Sequence, residues 1–420
     1  MRIKDIRISN FKSFKDAHIE KLGSFNVIIG TNASGKSNFI QVFRFLRDIA
    51  NHGLENAVSL QGGGEYLANS RLDSSEPLRL KITYTVDMVI IRKNVGIRID
   101  EAVYEFAVRF RNRGSSVTVI KDSLSKRLTF FSLPPGSKTI SEGKVIGDGS
   151  SVLFNQKGKI DYKLERPESV VLAAEDIIPD FLKEERLPEN TLLLETPYFE
   201  FIHYFEKFFD KLAIYDFDPN LPKKSISITG KRDLEEDGSN LALTLRAITS
   251  DKEKKRKFTN LIRGCLPFVE DLDVEKLADG SLLFKIWDAY AGNAYMPATF
   301  VSDGTVNIAA LIIALFFEEK SLVILEEPEK NVHPYLIGRM VEMMKDASRN
   351  KQIFVTTHNP EIVKCADMEN IVLIARNREG FSTVTKPAER EEVKTFLESE
   401  IGIEDLYIQN LLDQDQNNES

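Results

Sequence analysis

The chain has 420 residues, 42% hydrophobic and 9% aromatic, enough for one large core or two joined ones. Its 56 basic and 64 acidic residues leave a net charge of −8, which excludes a surface that binds nucleic acid or anionic membrane all over and leaves room only for a local basic groove. Two distant cysteines, Cys265 and Cys365, have no nearby ligand cluster, so neither a disulfide framework nor a zinc site is expected, and a reducing, intracellular setting fits.

The N-terminal MRIKDIRISNF alternates charged and apolar residues and has no apolar signal core, and no apolar run reaches transmembrane length. The expectation is a cytoplasmic protein without a membrane segment. Ile3, Ile6 and Ile8 before the turn-like Asn10 to Ser13, then Ala17 to Leu22, then Phe25 to Ile29, predict three strands. The third runs into GTNASGKSN, after which Phe39, Val42, Phe43, Leu46 and Ile49 fall at helical spacing. From about Leu78 to Leu164, alternating runs such as LRLKITYTVDMVII, VYEFAVRF and SVTVI predict an antiparallel β region. From about Ala173 to Leu212 the pattern turns helical. There Tyr198, Phe199, Phe201, Ile202, Phe205, Phe208 and Phe209 make an aromatic face, either internal core or a partner surface. After Gly304, TVNIAALIIALFFEE reads as a nearly all-round apolar helix. The strand SLVIL, a helix around YLIGRMVEMMKDA and the strands QIFVTT and IVLIA follow, an α/β pattern with a buried parallel sheet. The terminal DQDQNNES is expected to be a disordered tail, and neither an internal repeat nor a coiled-coil heptad stretch is evident.

Gly30, Gly35, Lys36 and Ser37 satisfy G-x-x-x-x-G-K-[ST] between a predicted strand and a predicted helix, the context the motif requires. Its glycines let the backbone curl so that several N–H groups and the helix N-terminus point at one phosphate chain. Lys36 would neutralise the β and γ phosphates, and Ser37 would place its hydroxyl on Mg2+. Where SLVIL ends, the adjacent Glu326 and Glu327 face different directions. Glu326 suits the Mg2+ shell, and Glu327 suits the water that attacks the γ-phosphate. FVSDGTV supplies Ser302, Gly304 and a helix N-terminus, a second anion-binding loop. His358, after QIFVTT, would stand at a strand end beside the acidic pair and can hydrogen-bond a γ-phosphate.

Together, IRISNFKSF, GTNASGKSN, DGSNLA, VSDGT, ILEEPEKNVHP and VTTHNP resemble, in the same order, the motifs of RecF/SMC-like ABC ATPases. The likeness is to the stand-alone bacterial type labelled AAA family ATPases, some of which belong to anti-phage defence pairs. The resemblance implies a P-loop NTPase head of ABC type with a mainly parallel core sheet, an antiparallel β lobe and a helical insertion. Its parts would be 1–172 and 261–395 for the two portions of the head, 173–260 for the insertion and 396–420 for the tail. It assigns ATP to Asn32, Ala33, Ser34, Gly35, Lys36, Ser37 and Asn38, with Lys12 and Ser13, and Mg2+ to Ser37 and Glu326. Ser302, Asp303, Gly304 and Thr305 become the signature loop acting in trans, Glu327 and His358 the catalytic glutamate and switch histidine, and Asn331 and His333 the D-loop region. Two heads sandwiching two ATP molecules imply an ATP-dependent homodimer, with higher assembly open, and a separate effector protein as partner. Departures from the pattern are Glu326 where many relatives have Asp, the lack of a convincing Q-loop glutamine at Gln61 or Gln156, and the lack of a coiled coil or a C-terminal nuclease domain.

The leading expectation is therefore an ATP-hydrolysing switch that controls an effector. A second is a DNA-repair clamp, with Lys223, Lys224, Lys231, Arg232 and the run Lys254, Lys255, Arg256, Lys257 lining a groove, although such residues also suit a solvated charged face. A transporter ATPase is disfavoured by ISNFKSF and SDGT, and a non-hydrolysing ATP sensor is separable only by turnover.

Overall fold

The structure is a computed structural model that describes residues 2–73, 75–111, 116–137, 139–172, 186–196, 209, 211–290, 292, 294–390, 393 and 403–409. The chain opens with strands β1 (Arg2–Phe11), β2 (Phe14–Ile19) and β3 (Phe25–Ile29) and helices α1 (Lys36–His52), α2 (Leu54–Leu60) and α3 (Gly64–Leu67). Long strands β4 (Leu78–Arg92), β5 (Val95–Arg111), β6 (Ser116–Ser132), β7 (Lys144–Gln156) and β8 (Lys159–Glu165) follow. Next come β9 (Leu212–Tyr215), α4 (Leu241–Thr249), α5 (Lys252–Cys265), β10 (Val269–Lys276), β11 (Leu282–Asp288) and β12 (Tyr295–Pro297). The rest is α6 (Asp303–Phe316), β13 (Leu322–Glu326), α7 (Pro334–Ala347), β14 (Gln352–Thr356), α8 (Pro360–Cys365), β15 (Ile371–Arg376), β16 (Ser382–Thr385) and α9 (Ile403–Ile408).

These elements form two compact units, each discontinuous in sequence: Met1–Gly23, Ser37–Asp210 and Ala375–Thr385 in the first, Ser24–Lys36, Lys211–Ile374 and Lys386–Ser420 in the second. The first holds an antiparallel sheet in the order β2-β1-β4-β5-β6-β7-β8. Strands β4, β5 and β6 have 15, 17 and 17 residues, and register shifts at Thr85/Met88 and at Ile99/Glu101 change the phase of the alternation part-way along, so that the sequence reads as shorter runs. Ile3, Ile6 and Ile8 are fully buried, and Phe11 packs against Phe45 of α1 with ring centroids 6.2 Å apart.

In the second unit, parallel strands run in the order β15-β3-β14-β13-β9, each a short and almost wholly buried apolar run. Helix α6 is buried from Thr305 to Leu315 without a polar stripe, as an all-round apolar sequence requires. The span expected as a helical insertion, 173–260, divides differently. Leu212–Tyr215 is a strand of the parallel sheet, α4 and α5 occupy 241–265, and Leu193–Glu195 is a single 3-10 turn. β9 has four residues, too few for any periodicity to mark them as a strand. Of the aromatic face, Tyr198, Phe199, Phe201, Ile202, Phe205 and Phe208 lie outside the described residues, as does the tail from 410, while Phe209 is buried.

Candidate functional site

Parallel pairing puts the carboxyl ends of β3, β14 and β13 side by side. Thr356 stands in register with Ile28 on one flank and Glu326 on the other, and the Glu327 N–H donates to Thr356 O at 2.9 Å. Loops leaving such neighbouring strand ends share one edge of the sheet, where ligands of open α/β folds bind. Here those loops carry GTNASGK, EEPEKN and THN.

The first loop is built by close approach. A Cβ on Gly30, whose φ is 154°, would lie 2.1 Å from Ile374 O, so only glycine fits. Thr31, Asn32 and Ala33 are exposed, Ala33 with φ 61°, while Ser34, Gly35 and Lys36 are buried. Lys36 folds back onto its own loop, donating to Gly30 O at 2.7 Å and Thr31 O at 3.1 Å, and Tyr407 also donates to Gly30 O at 3.4 Å. Burial lowers the Lys36 pKa, opposed by the carboxylates of Glu327 and Glu329. An ammonium held by two carbonyls in a half-dry loop is prepared for an anion, which would replace weak dipoles with charge.

Glu326 ends β13, half-buried. Glu327 has φ 45°, a left-handed backbone that a β-carbon makes costly and that concentrates at functional sites. Its Oε1 lies 3.0 Å from His358 Nδ1 and its Oε2 3.4 Å from Lys330 Nζ, which also reaches Asp216 Oδ1 at 3.0 Å. Burial acts to raise the Glu327 pKa, but His358 and Lys330 outweigh it and hold the carboxyl below its ordinary value. Next along, Glu329 is buried and accepts a short hydrogen bond from the Thr357 hydroxyl, and burial pushes its pKa up.

The Ser302–Thr305 loop caps α6. Ser302 Oγ accepts from the Thr305 N–H at 3.3 Å, and Asp303 pairs closely with Lys223. A Cβ on Gly304 would stand 2.7 Å from Asn331 O, and Asn307 donates to Lys330 O at 2.7 Å. This loop and the Glu326–Asn331 segment are therefore packed backbone to backbone. His333 caps α7, its Nδ1 accepting from the Tyr335 N–H at 3.3 Å.

In the first unit, Asn38 of α1 donates to Ser13 Oγ at 2.8 Å, Ser382 donates to the same oxygen at 2.7 Å, and Ser37 is exposed. Lys12 has φ 48°, its N–H donates to Leu67 O at 2.7 Å, and burial lowers its pKa. Gln61 donates to Asp48 at 3.1 Å, and Gln156 is exposed at the end of β7. Sequence reasoning did not single out Lys330, Asp216, Glu329 or Thr357. The run EEPEK offered a signal for Lys330 and Glu329, but Asp216 follows a strand too short to read.

Several residues of the expected basic groove have partners: Lys223 with Asp303, Lys231 with Glu235, Lys255 with Asp271, Arg256 with Glu253, and Lys257 over Phe316 and Phe317. Among the described residues no helix is long and apolar enough to cross a membrane.

A family model described as "AAA domain, putative AbiEii toxin, Type IV TA system" matches residues 25–364. The chain is 27% identical over 208 residues to the chromosome segregation protein sudA of Emericella nidulans, covering 45% of this chain and 17% of that protein. It is 34% identical over 58 residues to an ATP/GTP phosphatase of Helicobacter pylori, covering 14% of this chain and 16% of that protein. The chain thus spans about a sixth of the length of these curated relatives. Among solved structures it resembles an SMC head bound to the C-terminal winged-helix domain of ScpA, with a TM-score of 0.50 and 15% identity, covering 92% of this chain and 97% of that one. That likeness shows a shared fold.

Proposed function

The chain belongs to the AAA-domain family whose description names an AbiEii toxin of a type IV toxin–antitoxin system, an ATPase family of SMC-like head fold, and from that premise we propose that it is an ATP-hydrolysing switch. The observation that carries this reading is the meeting of Lys36, Glu327 and His358 at neighbouring strand ends of one parallel sheet. Lys36 leaves its loop carbonyls for the β and γ phosphates. Asn32 to Asn38 wrap the phosphate chain. Glu327, kept ionised by His358 and Lys330, orients the attacking water, and His358 meets the γ-phosphate. Ser37, next in chain to Lys36, and Glu326 are hard oxygen donors of the kind Mg2+ takes; the ion, when bound, would neutralise phosphate charge.

The test is ATP turnover by the wild type and by Glu327→Gln. The variant keeps the shape and loses the base, so turnover falls by about a hundredfold or more. Unchanged hydrolysis would reject the assignment.

The Ser302–Thr305 loop supports a further reading, in which it closes on ATP held by a second copy, so that ATP drives dimerisation and the dimer gates a separate effector protein. A family description that names a toxin–antitoxin system goes with a protein that works in a pair, and a role in anti-phage defence is the setting proposed for such a pair. A cytoplasmic setting, where ATP is supplied, goes with this reading. The alternative, a RecF-like DNA clamp, is supported by likeness to a chromosome segregation protein and weakened by the paired basic residues. DNA binding whose strength falls steeply with salt would favour the clamp.

A further inference from the structure

Glu329 lies two residues beyond Glu327 and is only 7% exposed. Its Oε1 accepts from the Thr357 hydroxyl, and its carboxyl is otherwise enclosed beside its own backbone N–H. Enclosing a carboxyl is costly even when it is hydrogen-bonded, a burden that marks a residue kept for more than packing. Thr357 Oγ1 also accepts from the Asn359 N–H at 2.9 Å. One chain of hydrogen bonds from Glu329 thus holds the two residues on either side of His358. His358 in turn reaches Glu327 through Nδ1 at 3.0 Å, and Glu327 sits at φ 45°, a conformation that its surroundings must impose.

We propose that Glu329 is a positioning residue for ATP hydrolysis: through Thr357 it fixes His358, and His358 fixes the carboxylate of Glu327. This deepens the ATPase reading above and rests on it. Glu329 touches neither phosphate nor water in this role. What it supplies is the placement of the pair that does, and placement errors of about 1 Å cost about a hundredfold in rate. A carboxyl that served only to stabilise the fold would, on removal, lower the melting temperature without separating kcat from KM.

The test compares wild type, Glu329→Gln, Glu329→Ala and Thr357→Val for kcat and KM with ATP, for melting temperature, and for histidine side-chain 15N signals, that of His358 being assigned by its loss in His358→Gln. Glutamine keeps an oxygen for the Thr357 hydroxyl, so Glu329→Gln retains kcat to within about threefold and leaves the His358 signal in place. Glu329→Ala and Thr357→Val lower kcat by about ten- to a hundredfold with KM nearly constant, and shift that signal. If Glu329→Ala does not fold, Thr357→Val, nearly equal in volume to the residue it replaces, carries the comparison. Wild-type kcat in Thr357→Val, or equal loss in Glu329→Gln and Glu329→Ala, overturns the proposal. If the wild type does not turn over ATP, the ATPase reading fails on its own, and the His358 signal still decides: unmoved in Thr357→Val, it overturns the positioning as well.

Discussion

Lys36 and Glu327 illustrate two ways in which single residues are prepared for chemistry. Lys36 spends hydrogen bonds on Gly30 O and Thr31 O, carbonyls a phosphate can outcompete, and its burial makes the uncompensated charge costly. Lys36→Ala is expected to weaken ATP binding by about ten- to a hundredfold, the loss of one or two charge-assisted hydrogen bonds, while the fold stays intact. Calorimetric titration with ATP measures it; affinity equal to wild type would mean that phosphate binds elsewhere. Glu327 is prepared differently, by a strained backbone and by His358 and Lys330 on separate oxygens. The strain could not be read from sequence, because it depends on how the chain turns after β13, and the run EEPEK marks Lys330 as a charged neighbour without showing which oxygen it meets.

At the scale of elements, the packing of the Gly304 segment against Asn331 joins the start of α6 to the loop after β13. Gly304→Ala would push a methyl group to within 2.7 Å of a backbone oxygen, and the loop must move. A loss of about 1–3 kcal/mol in stability is expected, with lowered turnover, by thermal melting and ATPase assay. In the first unit, Asp122 is 2% exposed and burial pushes its pKa up to about 7, against hydrogen bonds from Leu193, Asn155 and Tyr104. A raised acid pKa means that the folded chain keeps a proton the unfolded chain has released. The contribution is therefore full below pH roughly 4 and lost as pH rises through about 7. The melting-temperature difference between wild type and Asp122→Asn should shrink from pH 5 to pH 8, and a constant difference would contradict this.

The elements best read from sequence were those with a strong local signal. They are the β3–loop–α1 transition, where apolar run, glycines and helical spacing coincide, and α6, apolar on every side. β9 escaped because four residues carry no period, and the length of β4 and β5 escaped because bulges break the alternation that marks a strand. At the site, the residues recognised by motif, Lys36, Glu327 and His358, are brought together by the sheet. Glu329 and Thr357, which hold them, have no motif of their own, since their meaning lies in a contact across 28 positions of chain.

For the molecule as a whole, a net charge of −8 and paired basic residues fit an ATP-driven switch better than a general DNA binder. On the proposed reading, ATP brings two copies together across the Ser302–Thr305 loops. The direct measurement is the solution mass of Glu327→Gln, expected to hold ATP with turnover lowered about a hundredfold or more, in the absence and presence of saturating ATP and Mg2+. A rise from monomer to dimer is expected, and adding Lys36→Ala shifts that rise to ATP concentrations about ten- to a hundredfold higher. A monomer that demonstrably holds ATP and keeps its mass would contradict the reading.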